Sequence, residues 1–127
     1  MPWIDLISLL AVLQYFAFGA LVGRARVKYR IHAPATSGDE NFERWFRVQQ
    51  NTLELLIMFF PALWVAARYW SPGWMAVLGL VYLIGRVVYL ISYVREPKSR
   101  ELGFILSIAP IGVLILFALV GVVRSLI

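Results

Sequence analysis

Three residues at helical spacing pose the chemical question in this chain. Arg47, Asn51 and Glu54 stand at i, i+4 and i+7 in the run Glu43-Arg44-Trp45-Phe46-Arg47-Val48-Gln49-Gln50-Asn51-Thr52-Leu53-Glu54, so a helix carries them on one face. The run passes without a break into the apolar segment Leu55 to Ala67. Two opposite charges and an amide are thereby carried toward hydrocarbon, where a charge is costly unless it is paired or bound. With Gln49 and Gln50 beside them, these groups can form a polar pocket for a small charged ligand. The plain alternative is an ion pair at the membrane edge.

A second polar set follows. Tyr82, Arg86, Tyr89 and Tyr93 stand at i, i+4, i+7 and i+11, again one helical face. An interfacial aromatic belt accounts for single tyrosines. It does not account for Arg86, which lies about 13 Å along a helix from Arg95 at 1.5 Å per residue. An arginine at that depth faces the bundle interior and needs an acid. Glu54 is the nearest candidate, since adjacent antiparallel helices bring the two to similar depth. The expectation is a Glu54–Arg86 ion pair, direct or through one intermediary. Arg100 follows Glu96-Pro97 near the start of the last helix. It is either a snorkelling interfacial arginine or a fixed cation over the pocket mouth. Always charged and rich in donors, it can stabilise an anion but is a poor proton acceptor.

The elements that must position these residues are membrane helices. Of 127 residues, 61% are apolar and 15% charged, with mean hydropathy +0.79. A soluble domain of this size would carry far more charge. The expected fold is an all-α membrane protein, one four-transmembrane-helix bundle over residues 1–127, with spans at about 3–26, 42–69, 73–95 and 99–126. Pro2 suits a first helical turn, Asp39 or Asn41 can cap the second helix, and Ser71-Pro72-Gly73 is a turn. Pro61 and Pro110 predict kinks. Met1-Pro2-Trp3 lacks a basic region and no cleavage site stands out, so the first span is expected to be retained.

Cysteine is absent, which excludes disulfides, a thiolate nucleophile and cysteine metal sites. His32 alone cannot build a histidine cluster, so no metal is expected. Nine of the twelve cations (Arg24, Arg26, Lys28, Arg30, Arg44, Arg47, Arg95, Lys98 and Arg100) fall on or beside the two loops at one end of the bundle. The positive-inside rule turns that end to the cytoplasm and puts both termini on the opposite side. The cluster Arg24 to Arg30 reads as topogenic charge in contact with anionic lipid, not as a nucleic-acid site.

The motif Glu43-Arg44-x-x-Arg47-x-Gln49-x-Asn51-x-x-Glu54 resembles the signature of the MAPEG family, the membrane-associated proteins of eicosanoid and glutathione metabolism. Pro61-Ala62-Leu63-Trp64-Val65-Ala66 and Gly79-Leu80-Val81-Tyr82-Leu83-x-x-Arg86-x-x-Tyr89-x-x-x-Tyr93 are similar to its leukotriene-C synthase and microsomal glutathione transferase branch. The resemblance covers about Arg24 to Leu102. It implies a homotrimer that binds glutathione as co-substrate between neighbouring subunits near the cytosolic membrane face. By position, Arg47, Asn51, Glu54, Tyr89 and Tyr93 would hold glutathione from one subunit. Gln49 and Arg26, with Arg24 as the alternative to Arg26, would reach it from the neighbour. Arg100 matches the catalytic arginine that stabilises the glutathione thiolate.

The implied activity is glutathione transfer to hydrophobic electrophiles or lipids, with peroxidase activity possible in the same chemistry. The alternative is a non-catalytic glutathione- or lipid-binding membrane protein of the same fold. Leu55 stands where the branch has a tyrosine, and Ala25 or Val27 where it has a second arginine. The short chain is what a bacterial homologue in the inner membrane would show.

Overall fold

The structure is a computed structural model and describes all 127 residues. Four helices account for nearly the whole chain: α1 Pro2–Tyr29, α2 Glu40–Tyr69, α3 Pro72–Arg95 and α4 Glu101–Leu126. All four are long and apolar enough to cross a membrane. The fold is therefore an all-α four-helix bundle.

Helix α1 does not stop where the apolar run stops. It continues through Arg24, Arg26 and Lys28, because arginine and lysine are good helix formers and cations suit the negative end of the helix dipole. It ends at Arg30, whose backbone is left-handed (φ 57°), and the Ile31 N–H returns to the Arg26 carbonyl at 3.0 Å. Helix α2 begins at Glu40, two residues ahead of the expected start. Asp39 caps it, accepting the backbone N–H groups of Asn41 at 2.8 Å and Phe42 at 3.2 Å. Helix α3 opens on Pro72, where the missing N–H costs no helical bond. A 3₁₀ turn at Pro97–Ser99 then reverses the chain. Ser99 secures that turn by donating its hydroxyl toward the Ser92 and Glu96 carbonyls at 3.1 and 2.7 Å. Arg100 is thus the residue before α4 and not within it.

The membrane core is built on Phe59 and Leu63 of α2, Tyr82 of α3 and Ile111 and Leu114 of α4, with Ile4 from α1. Phe59 and Tyr82 stack with ring centroids 4.1 Å apart. The closest helix pairing is α3 with α4, and glycine makes it possible at two levels. A Cβ on Gly103 would lie 2.4 Å from the Tyr89 nitrogen. A Cβ on Gly85 would lie 2.7 Å from the Leu106 carbonyl oxygen. That carbonyl has no helical donor, because the residue four positions on is Pro110. The two glycines bring the α3 and α4 backbones together along the half of the bundle that carries Tyr89 and Arg100.

Candidate functional site

At the basic end of the bundle, α2, α3 and the start of α4 enclose a cavity of about 560 Å³. Arg47 and Asn51, one helical turn apart, come from α2. Tyr89 and Tyr93, also one turn apart, come from α3, and their rings stack with centroids 5.4 Å apart. Arg100, Glu101 and Phe104 close the third side. Arg100 donates from Nη1 to the Pro97 carbonyl at 3.3 Å, which ties its guanidinium to the 3₁₀ turn. Five residues singled out from the sequence, Arg47, Asn51, Tyr89, Tyr93 and Arg100, therefore line one cavity. Two guanidiniums against one carboxylate make it attractive to anions.

The α2 wall is anchored to the end of α3 by Arg44. Its Nη1 donates to the Val94 and Arg95 carbonyls at 3.2 and 3.3 Å, capping the last turn of α3. Its Nη2 pairs with Glu40 at 3.2 Å. Arg47 and Tyr93 also line a neighbouring cavity of about 390 Å³ with Glu40 and Glu43, on the loop side of the bundle.

Behind the cavity lies Arg86, 0% exposed. The expected Glu54–Arg86 ion pair is absent. The guanidinium donates instead from Nη1 to Asn51 Oδ1 at 2.8 Å and Thr52 Oγ1 at 3.1 Å, and from Nε to Ser107 Oγ at 2.9 Å. It also sits 4.4 Å above the Tyr89 ring. The reason is helical phase. The buried stripe of α2 runs through Val48, Thr52, Leu55 and Phe59. At 3.6 residues per turn Asn51 falls on its border and Glu54 about 60° further out. Glu54 is exposed and is not among the residues lining the cavity.

Gln49 and Arg26 also lie away from the cavity. Gln49 packs on α1, its Nε2 3.1 Å from where a Cβ on Gly19 would be. Arg26 closes the loop after α1, donating to the Ala35 carbonyl at 2.7 Å and lying 4.9 Å above the Phe42 ring. Arg24 faces a separate cavity of about 480 Å³ with Lys28, Tyr29 and Trp45. Four residues at or behind the site were not singled out from the sequence: Thr52, Glu101, Phe104 and Ser107. Phe104 and Ser107 carry a readable signal, since they follow Arg100 at i+4 and i+7, one face of a helix.

The comparisons with known proteins agree with one another. The MAPEG family model matches residues 4–120. The chain is 43% identical over 124 residues to an uncharacterized protein of Synechocystis, covering 98% of this chain and 90% of that one. It is 39% identical over 119 residues to human microsomal glutathione S-transferase 2, covering 94% and 81% of the two chains. It is 37% identical over 117 residues to guinea pig (Cavia porcellus) leukotriene C4 synthase, covering 85% and 78%. A basic, tyrosine-walled cavity between membrane helices and a match along almost the whole length lead to one conclusion: the chain belongs to the MAPEG family.

Proposed function

We propose that this protein is a membrane glutathione transferase that joins the glutathione thiolate to hydrophobic electrophiles, with lipid hydroperoxide reduction as a second outcome of the same thiolate. The observation that carries this reading is the cavity that gathers Arg47, Asn51, Tyr89, Tyr93 and Arg100. The names of the human and guinea pig relatives support it. Glutathione has two carboxylates, an ammonium and a thiol. Arg47 and Asn51 suit a carboxylate, and the stacked tyrosines offer an aromatic wall with hydroxyl donors. Glu54 lies outside the cavity but on nearly the same edge of α2 as Arg47, about 10 Å deeper by helical rise, and takes the ammonium of a ligand that extends along that edge. Arg100 faces the thiol. A free thiol titrates near 8.5 and a neighbouring cation lowers that value, which raises the thiolate fraction at neutral pH.

Gln49 and Arg26 face away from the cavity of their own chain. In a homotrimer they would meet the ligand of a neighbouring subunit. The basic loops face the cytoplasm of a bacterial inner membrane, with both termini opposite, so glutathione enters from the cytoplasm and the electrophile from the bilayer.

The test uses the detergent-solubilised protein. Glutathione at 100 times its dissociation constant stabilises the fold by about 2.7 kcal/mol. No shift in thermal midpoint at millimolar glutathione would count against the reading. Conjugation to an aryl halide, and reduction of a lipid hydroperoxide in parallel, assign the reaction. Arg100→Ala is expected to lower turnover by about 10²–10³ while glutathione still shifts the midpoint. Unchanged turnover in that variant would remove the mechanism and leave a binding protein.

A further inference from the structure

Arg86 is deeply buried, makes no ion pair and touches the cavity only through its neighbours. We propose that Arg86 is a positioning residue that fixes Asn51 as a hydrogen-bond donor into the cavity, so that this wall recognises a carboxylate or carbonyl oxygen of the ligand. This deepens the glutathione reading and rests on it.

A guanidinium has donors only. The amide atom that meets Arg86 Nη1 at 2.8 Å must therefore be the carbonyl oxygen, and the orientation of the Asn51 amide is settled by chemistry. The other two acceptors are locked in the same sense. Thr52 gives its hydroxyl hydrogen to the Val48 carbonyl at 2.8 Å, and Ser107 gives its own to the Gly103 carbonyl at 2.7 Å. Each hydroxyl can then offer only lone pairs to Arg86. The Tyr89 ring bounds the guanidinium on one side. Arg86 cannot swing away without stranding a charge in the bundle interior.

Asn51 is left with its amide nitrogen. That group donates to no other group of the chain, and Asn51 lines the cavity. Its two N–H bonds are thus held ready for an oxygen acceptor. Arg47 and Arg100 bring further donors to the same space. The cavity offers oxygen acceptors three donor groups, one of them aimed by a cation that does not line it.

The deciding variant is Asn51→Asp. Its carboxylate accepts from Arg86 as the amide oxygen does, but it presents an acceptor to the cavity where the amide presents donors. Without ligand, its thermal midpoint is expected at or above that of the parent protein, and that of Asn51→Ala below it. With glutathione, the dissociation constant of Asn51→Asp rises by about tenfold or more. Glutathione binding by Asn51→Asp equal to that of the parent protein would overturn the proposal. So would a ligand-free midpoint for Asn51→Asp below that of Asn51→Ala.

Arg86 itself is read by the split between KM and kcat. Arg86→Met raises KM for glutathione at little change in kcat, and Arg86→Lys, which also carries only donors, restores it. An unchanged KM in Arg86→Met overturns the positioning role. If Arg86→Met does not fold, the Asn51→Asp result decides alone. Failure of the unsubstituted protein to bind glutathione would remove the glutathione reading, and the order of the ligand-free midpoints would still decide the Arg86–Asn51 contact.

Discussion

Substituting Gly103 by alanine separates the position of Arg100 from the stability of the fold. The added Cβ would lie 2.4 Å from the Tyr89 nitrogen and 2.5 Å from its Cα, where ordinary contact begins near 3.4 Å. Both partners are backbone, so no side-chain rotation relieves the clash, and the start of α4 must part from α3 by about 1 Å. Overpacking of this kind costs about 1–3 kcal/mol. Replacing a helical glycine by alanine returns about 1 kcal/mol. The net loss of stability is therefore at most about 2 kcal/mol.

The site responds more steeply. Arg100 lies three residues before Gly103 and moves with the first turn of α4, away from Tyr89 and Tyr93. A displacement of about 1 Å at a reacting group lowers rate by about 100-fold. The assay is aryl halide conjugation at saturating glutathione, read beside the thermal midpoint. Gly112→Ala is the control, because a Cβ there meets nothing within 4 Å. It is expected to leave turnover unchanged and to raise stability by up to about 1 kcal/mol. Turnover of Gly103→Ala within about twofold of the parent protein would refute the claim that this helix contact sets the position of Arg100.

Two further outcomes follow from polar groups outside the cavity. Tyr82 is fully buried and its hydroxyl has no partner, so Tyr82→Phe keeps the stack on Phe59 and is expected to stabilise by about 1 kcal/mol in thermal unfolding; a lowered midpoint would reveal a missed partner. Arg26→Ala removes the bond to the Ala35 carbonyl and the contact over Phe42, and is expected to cost about 1–2 kcal/mol, whereas Arg24→Ala leaves the midpoint unchanged. The glutathione KM of the same two variants tests whether either cation reaches the ligand of a neighbouring subunit, as the proposed trimer requires.

Much of this arrangement is legible in the order of residues. The four apolar runs foretell four helices, and the 47/51 and 89/93 spacings foretell two walls of the cavity. What escapes is rotation about the helix axis. Depth along α2 and α3 correctly brings Arg86 level with the Asn51–Glu54 turn, but a difference of about 60° hands the guanidinium to Asn51. An acid was expected because a buried cation conventionally needs one. Three neutral oxygens take the Nε and Nη1 donors here, two of them on hydroxyls whose hydrogens are already committed to their own helices, and Nη2 is buried without a partner. Nothing in the sequence distinguishes Thr52 from an ordinary small residue at a helix interface, and Ser107 is marked only by its i+7 spacing from Arg100. The end of α1 lies three residues past the expected 26, at Tyr29: hydropathy marks where the lipid ends, and Val27, Lys28 and Tyr29 carry the helix beyond it.

The way Arg86 is satisfied also bears on how the chain enters a bilayer during synthesis. An arginine near the centre of a lone inserting helix costs about 2.5–3.5 kcal/mol. Helices emerge in order, so α2 is already in place when α3 arrives. Asn51 and Thr52 are then waiting for the guanidinium, and Ser107 comes only afterward with α4. The cation is received by two oxygens on arrival and closed in by a third. Chain order thus places two of the three acceptors ahead of the guanidinium and the third behind it.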